Sequence, residues 1–182
     1  CLATSAVVWW FLFDSQIEMS TTLSVGKGRV DGRLPDGTSL IFSRAESVQS
    51  GTTLAADATA QGYITFADNY SQQPVARLFL MQESEISLNY GMRPRFEFSR
   101  GSYDVRFSKA VGRFYLEVFD GLERGLSLRV QTTAGEMLFA GPGMFRLEVR
   151  GDKTTLYAER GTASLYALSG GTQPVWTGQR VV

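Results

Sequence analysis

The sequence has 182 residues, and its 18 Lys and Arg balance 18 Asp and Glu, so the formal net charge is zero. Nucleic-acid binding rests on an excess of positive charge, so this balance argues against a nucleic-acid partner. The chain has no histidine and one cysteine, which removes the commonest general base and metal ligand and any internal disulfide. We therefore predict a protein that is not an enzyme and that has no cofactor or bound metal.

The chain opens with CLATSAVVWWFLF, and its first charged residue is Asp14. A helix over this stretch spans about 20 Å, whereas a bilayer core is about 30 Å thick, so the stretch is too short to cross alone. Three interpretations stay open. The stretch is the outer end of a transmembrane helix, the head of a lipoprotein acylated on Cys1, or a buried core segment or signal remnant.

We favour the first interpretation, in which residues 1–13 (to about 20) anchor the chain and the tryptophans lie at the membrane interface. The first charges after the stretch are Asp14 and Glu18, and no Lys or Arg occurs before Lys27. By the positive-inside rule this pattern places the following domain on the non-cytoplasmic side. The predicted membrane-anchor residues are Val7, Val8, Trp9, Trp10, Phe11, Leu12 and Phe13.

Residues 14–22 are predicted to form a short connector, and residues 23–182 a single extracytoplasmic β domain. From there on, short runs such as ARLFLMQ, RFEFS, RFYLEVF and MFRLEVR alternate apolar with polar side chains, which is typical of half-buried strands. Glycine-containing turns separate these runs every ~8–12 residues. The pattern predicts an all-β fold, either a sandwich or a short β-roll of many short, mostly antiparallel strands.

The alternation also predicts which side chains face the core. Phe96 and Phe98 share one face of a predicted strand at 95–99. Two further strands are expected to bury Phe114, Leu116 and Val118, and Phe145, Leu147 and Val149.

Residues 93–113 are locally basic, with aromatic side chains interleaved. Arginines on neighbouring strands could meet an acidic protein surface or lipid headgroups, although a solvated sheet face is the plainer interpretation. The candidate partner surface consists of Arg93, Arg95, Arg100, Arg106, Lys109 and Arg113.

Two other sequence patterns bear on catalysis and nucleotide binding. Glu83 and Glu85 lie two apart on a predicted strand and would share a face, as paired carboxylates do in glycoside hydrolysis, but a solvated strand face is far commoner. Gly26-Lys27-Gly28 lacks the Gly-Lys-Ser/Thr ending of a phosphate-binding loop, so we predict no nucleotide.

The C-terminal third carries an ordered set of turn residues. They are Thr132 and Thr133, Gly143 and Phe145, Glu159 and Gly161, and Gly178 and Gln179. In this order they resemble the FecR-type domain, a bacterial family found outside the cytoplasmic membrane. Gly143-Met144 and the Arg160 insertion depart from the family's pattern.

The resemblance implies a membrane-tethered periplasmic β domain, and some family members relay a signal to a sigma-factor regulator. We therefore expect one of two alternative functions. The first is a non-catalytic accessory or structural subunit that contacts other proteins of a membrane complex, with membrane lipid bound through the N-terminal segment. The second is a FecR-like signalling module. A carbohydrate-binding or hydrolytic domain is a weaker third.

Overall fold

The structure, a computed structural model, describes residues 9–168 and 170–182. One short helix, α1, covers residues 9–13, and strands make up most of the rest. The strands are β1 (Gln16–Glu18), β2 (Ser20–Lys27), β3 (Val30–Arg33), β4 (Ser39–Phe42), β5 (Glu46–Ser47), β6 (Thr53–Ala56), β7 (Gln61–Ala67), β8 (Pro74–Leu80), β9 (Glu85–Pro94), β10 (Tyr103–Val118), β11 (Leu126–Gln131), β12 (Gly135–Phe139), β13 (Gly143–Arg150), β14 (Lys153–Arg160), β15 (Ala163–Ala167), β16 (Thr172–Val175) and β17 (Arg180–Val181).

The strands pair into two sheets that both contain β10. In sheet A the order is β4, β3, β6, β9, β10, β11, β12, β15 and β16, and β1 pairs with the end of β9. In sheet B the order is β5, β2, β7, β8, β10, β13, β14 and β17. The pair of β10 and β11 is parallel, and the other pairs are antiparallel. The prediction of an all-β, mostly antiparallel fold is confirmed.

The core lies between the two sheets and is built from the predicted apolar stripes. Phe114, Leu116 and Val118 are buried on β10, and the alternate residues of β13 are buried in the same way. Aromatic pairs bridge the sheets, because Phe66 meets Phe107 at 5.6 Å between ring centroids and Phe139 meets Phe145 at 4.8 Å. The stripes on both sheets therefore close one shared core.

Strand β10 is 16 residues long and changes sheet near its middle. Its first half pairs with β9 and β11 in sheet A, and its second half with β8 and β13 in sheet B. The register slips between Ser108 and Val111, where Lys109 has φ 52° and Gly112 has φ 103°. Bulges of this kind let one strand turn the corner between two sheets.

Three sequence expectations are wrong or incomplete in this part of the molecule. Residues 95–99 are not a strand, since β9 ends at Pro94 and the chain then turns. Phe98 is 59% exposed and so does not face the core. The predicted connector at 14–22 is largely sheet, because β1 and the start of β2 lie inside it.

The residues that the structure describes do not include the predicted membrane helix. Within residues 9–168 and 170–182, no helix has the length and apolar character needed to cross a bilayer. The part of α1 that the structure describes covers only residues 9–13.

Substituting Gly112 with alanine tests the corner of β10. A Cβ at this position would lie 2.7 Å from the Ser84 Cα, at a backbone φ of 103° that L residues rarely adopt. We expect a loss of about 2–4 kcal/mol in the free energy of unfolding, from strain and overpacking together, measured by urea denaturation.

Gly121→Ala is the matched control, because Gly121 has φ 71° and a methyl group added there would meet no atom within 4 Å. This variant introduces backbone strain without overpacking, and it should lower the free energy of unfolding by about 1 kcal/mol. Equal losses in the two variants would contradict a packing constraint at the β10 corner.

Candidate functional site

Helix α1 is fastened to the loop formed by residues 95–102, which we call the clamp loop. The Ser99 hydroxyl donates to the Phe13 carbonyl at 2.6 Å, and the Arg95 amide donates to the Ser15 carbonyl at 2.9 Å. The Ser15 hydroxyl donates to the Phe11 carbonyl at 2.5 Å, which satisfies a carbonyl at the end of the helix. These bonds fix α1 against the sheet domain.

Aromatic rings from α1 and the clamp loop form one cluster, the aromatic face. Phe11 meets Phe96 at 5.6 Å and Phe13 meets Phe98 at 5.8 Å, both edge to face, and Phe96 stacks on Phe98 at 5.3 Å. Trp9 joins this cluster at 5.5 Å from Phe13, so the face consists of Trp9, Phe11, Phe13, Phe96 and Phe98, and the neighbouring Trp10 is exposed beside it.

Much of this cluster is open to solvent. Trp9, Phe98 and the neighbouring Trp10 are 57–59% exposed, and Phe11 and Phe13 are at least 40% exposed. A contiguous exposed patch of large apolar side chains marks a surface that binds a protein or a membrane. A cavity of about 550 Å³ opens within it, lined by Trp9, Phe13, Pro94 and Phe98 with Arg100 at its edge.

Two arginines hold the clamp loop in place. The Arg124 guanidinium donates to the carbonyls of Phe96, Glu97 and Ser99, so one side chain bonds three carbonyls of the loop. The Arg95 guanidinium lies over the Phe11 ring, 5.3 Å from its centroid. Sequence reasoning missed Arg124, because nothing local to it indicates a loop more than twenty residues away.

A buried polar cluster lies under the clamp loop. Arg93 and Asp68 are 1% and 3% exposed, and the Arg93 guanidinium donates to Asp68 Oδ1 at 2.5 Å. The Tyr103 hydroxyl donates to Asp68 Oδ2 at 2.8 Å, and Arg93 Nε donates to the Pro94 carbonyl. The Tyr70 hydroxyl donates to the Arg95 carbonyl at 3.1 Å, so the cluster is connected to the clamp loop.

The cluster favours the ionised form of Asp68. Burial alone would raise the pKa of Asp68, but hydrogen bonds from the Tyr70 amide, the Tyr103 hydroxyl and the Ser71 amide, together with the Arg93 charge, hold it below the ordinary value. Burial, followed by the hydrogen bond to the Asp68 carboxylate and its charge, raises the pKa of Tyr103 to about 12. Asp68 is therefore a buried carboxylate that stays charged.

The residues predicted as a partner surface do not form one surface. Arg93 is buried in the cluster just described, which corrects its assignment to a surface. Arg95 and Arg100 belong to the clamp loop, and Arg106 is half-buried on sheet A with Glu136 at 3.3 Å. Lys109 is exposed at the β10 corner, and Arg113 is exposed beyond it on sheet B. The separation of Arg106 from Arg113 follows from the change of sheet within β10.

Of the predicted anchor residues, the structure describes five. Trp9, Phe11 and Phe13 lie in the aromatic face, Trp10 is exposed beside it, and Leu12 is half-buried in α1. Cys1, Val7 and Val8 lie outside the described residues.

The carboxylate pair is not assembled in the way predicted. Glu83 lies in a turn with φ 56°, whereas Glu85 is the first residue of β9, so the two do not share a strand face. Among the residues that the structure describes, no three of the His, Cys, Asp and Glu type are grouped to hold a metal ion.

Comparisons with known proteins do not show a family for this chain. The sequence matches no family model, and it matches no curated protein. A similar solved structure is the crystal structure of a "putative anti-sigma factor" from Parabacteroides distasonis, with 9% identity and a TM-score of 0.41. The match covers 91% of this chain and 53% of that one, so this chain spans about half of its length. Similarity at this level assigns neither a family nor an activity, and the FecR resemblance stays a prediction.

Asp68→Asn tests the buried cluster. It leaves the Arg93 guanidinium buried without its carboxylate, and we expect a loss of about 3–5 kcal/mol in the free energy of unfolding at neutral pH. Because folding lowers the pKa of Asp68, its contribution is complete above the unfolded pKa of about 3.9 and disappears as the pH falls through the folded pKa. The stabilities of the two proteins should therefore converge below about pH 4, measured by denaturation across pH.

Asp36→Asn is the control, because the Asp36 carboxylate is fully exposed and hydrogen-bonds only locally, to Thr38. It should leave stability at neutral pH close to that of the parent chain. A loss in Asp68→Asn no greater than in this control would contradict the central role of the buried cluster.

Proposed function

We propose that this chain is a non-catalytic β domain held at a membrane surface, where it serves as an accessory or structural subunit by contacting other proteins. The aromatic face is the part that meets the bilayer. The domain lies on the extracytoplasmic side, as the absence of Lys and Arg before Lys27 favours.

One observation carries the proposal. The aromatic residues at the end of the apolar head are joined to Phe96 and Phe98 of the clamp loop in one exposed cluster. Tryptophan and other aromatic rings are favoured at the depth of the lipid headgroups. The face would therefore place two separate segments of the chain, α1 and the clamp loop, at the same membrane interface.

The attachment of this face to the domain matters for its function. Hydrogen bonds from Ser99, Arg95 and Arg124 fasten the clamp loop and α1 to each other and to the sheets. Contact through two fastened segments would fix the tilt of the domain relative to the bilayer, which a flexible tether would leave free. A fixed tilt suits a subunit that braces neighbouring proteins.

The non-catalytic part of the proposal rests on the side chains available. The whole chain has no histidine, and Glu83 and Glu85 do not share a strand face. The commonest acid–base arrangements therefore have no counterpart in the sequence.

A FecR-like signalling domain is the second candidate, and the positions of the turn residues favour it. Thr132 follows the end of β11, Gly143 begins β13, Gly161 follows β14, and Gly178 precedes β17. These are the strand ends at which the resemblance places them. In this alternative the domain would pass an external event inward instead of bracing a complex.

Tryptophan fluorescence in vesicles with brominated acyl chains tests the membrane contact. We expect strong quenching when Trp9 is the only tryptophan, and equally when Phe98→Trp is the only tryptophan, because both rings lie in the aromatic face. Both spectra should also shift to shorter wavelength.

Ile41→Trp in the same tryptophan-free background is the control. Ile41 is 61% exposed. Across sheet A, Ile41 pairs with Asp31, Asp31 with Ala55, and Ala55 with Glu85, so Ile41 lies level with Glu85. Glu85 is about 30 Å along β9 from Pro94, which precedes the clamp loop. The control ring should stay unquenched. Quenching of Trp9 without quenching of Phe98→Trp would show that the head alone enters lipid, and would contradict the two-segment contact.

Mild-detergent extraction, native-gel separation and mass spectrometry of co-migrating chains test the subunit function. Stoichiometric migration with a large membrane assembly is expected. Migration alone, or with only a sigma-factor regulator or an outer receptor, would favour the signalling candidate.

A further inference from the structure

The outer face of sheet B carries a continuous row of aromatic and arginine side chains. Each member lies directly opposite the next on the neighbouring strand, from β7 through β8, β10, β13 and β14 to β17. The row is Tyr63, Phe79, Tyr115, Arg146, Tyr157 and Arg180. At a strand spacing of about 4.8 Å it runs for about 24 Å.

Arginines on this face are preorganised by the rings beneath them. The Arg146 guanidinium lies 5.0 Å from the centroid of Tyr115, and the Arg77 guanidinium lies 5.0 Å from that of Tyr63. A stacked guanidinium loses little freedom when it binds, and its planar fork suits a carboxylate.

The same face is basic although the chain as a whole is neutral. Outward positions on β8, the second half of β10, β13, β14 and β17 carry six arginines and one lysine against three glutamates. The overall balance of 18 against 18 therefore conceals a local excess of positive charge.

Two adjoining hollows at the end of the row share Arg180. One, of about 270 Å³, is lined by Arg146, Glu148, Thr155, Tyr157 and Arg180. The next, of about 220 Å³, shares Glu148, Thr155 and Arg180 and is completed by Arg150, Lys153 and Val182. In the part of the chain that the structure describes, Arg180 and Lys153 have no carboxylate within ion-pair distance. This end of the row thus offers cations that no other described protein group neutralises.

We propose that this face binds an acidic glycan, a sugar chain that carries carboxylates on its rings. Arg146 and Arg180 are two strands apart, about 10 Å, which is close to the length of two linked sugars, and Tyr157 lies between them. The Arg180 guanidinium would hold one carboxylate, and the Tyr157 ring would face the intervening sugar. Arg146, whose exposed ion pair with Glu159 at 3.2 Å contributes little energy, would hold the second carboxylate.

Glu148 distinguishes a glycan from an acidic peptide. Glu148 lines both hollows, its carboxylate pairs with Arg150 at 2.5 Å, and it would repel a chain of closely spaced carboxylates. Sugar hydroxyls, in contrast, can donate to Glu148 and to the Thr155 hydroxyl. The inference does not depend on the membrane proposal, because the row and the aromatic face involve different residues.

Titration calorimetry of the full chain in mild detergent, at low salt, tests the proposal with three probes of equal length. They are an oligogalacturonate, an uncharged oligogalactan and an oligoglutamate. We expect the oligogalacturonate to bind about tenfold or more tightly than either of the others, and its affinity to fall as salt is added. Equal binding of the oligoglutamate would overturn the proposal in favour of an acidic protein, and no binding of the oligogalacturonate would overturn it outright.

Arg180→Gln and Arg33→Gln locate the site. Both remove one exposed arginine charge, but Arg33 lies on β3 in sheet A. Arg180→Gln should weaken oligogalacturonate binding about tenfold or more, and Arg33→Gln should not change it. Equal effects of the two variants would show attraction by overall charge and would overturn the assignment to this face. Unfolding midpoints of both variants should match that of the parent chain, because both side chains are exposed.

Discussion

The buried pair of Asp68 and Arg93 is the interaction on which the aromatic end of the molecule depends. Two charges taken out of water are stable only when their hydrogen-bonding capacity is filled. Asp68 receives the Arg93 guanidinium, the Tyr103 hydroxyl and two loop amides. Asp68 follows β7 in sheet B, while Arg93 and Tyr103 belong to β9 and β10 in sheet A. The pair therefore ties the two sheets together directly beneath the clamp loop, and Tyr70 carries that connection to Arg95.

The shared strand β10 sets the second constraint. Because it leaves sheet A and enters sheet B, the residues on its two halves face different surroundings. Arg106 therefore lies on sheet A, whereas Arg113 lies on sheet B. The same change of sheet places β8 and β13 on either side of the second half of β10, and this neighbourhood creates the aromatic and arginine row.

The two proposed surfaces are compatible in one molecule. The aromatic face is apolar and lies at the clamp loop, whereas the row is basic and runs across sheet B. Under the two proposals, the aromatic face meets the bilayer and the basic row stays open to the extracytoplasmic space, where it meets acidic glycans. Segregation of apolar and charged surface in this way allows one small domain to bind two chemically different partners.

The sequence by itself determined the fold class and many of the core faces. Alternation with a period of two is a local property, so the buried stripes of β10 and β13 could be read directly from the residues. The same alternation failed at residues 95–99, where the two phenylalanines stack on each other beside α1 instead of entering the core. Only the tertiary structure decided that Arg93 is buried, because its partner Asp68 lies 25 residues away. It alone also revealed the row on sheet B, since strand order and register depend on contacts distant in sequence, which periodicity does not encode.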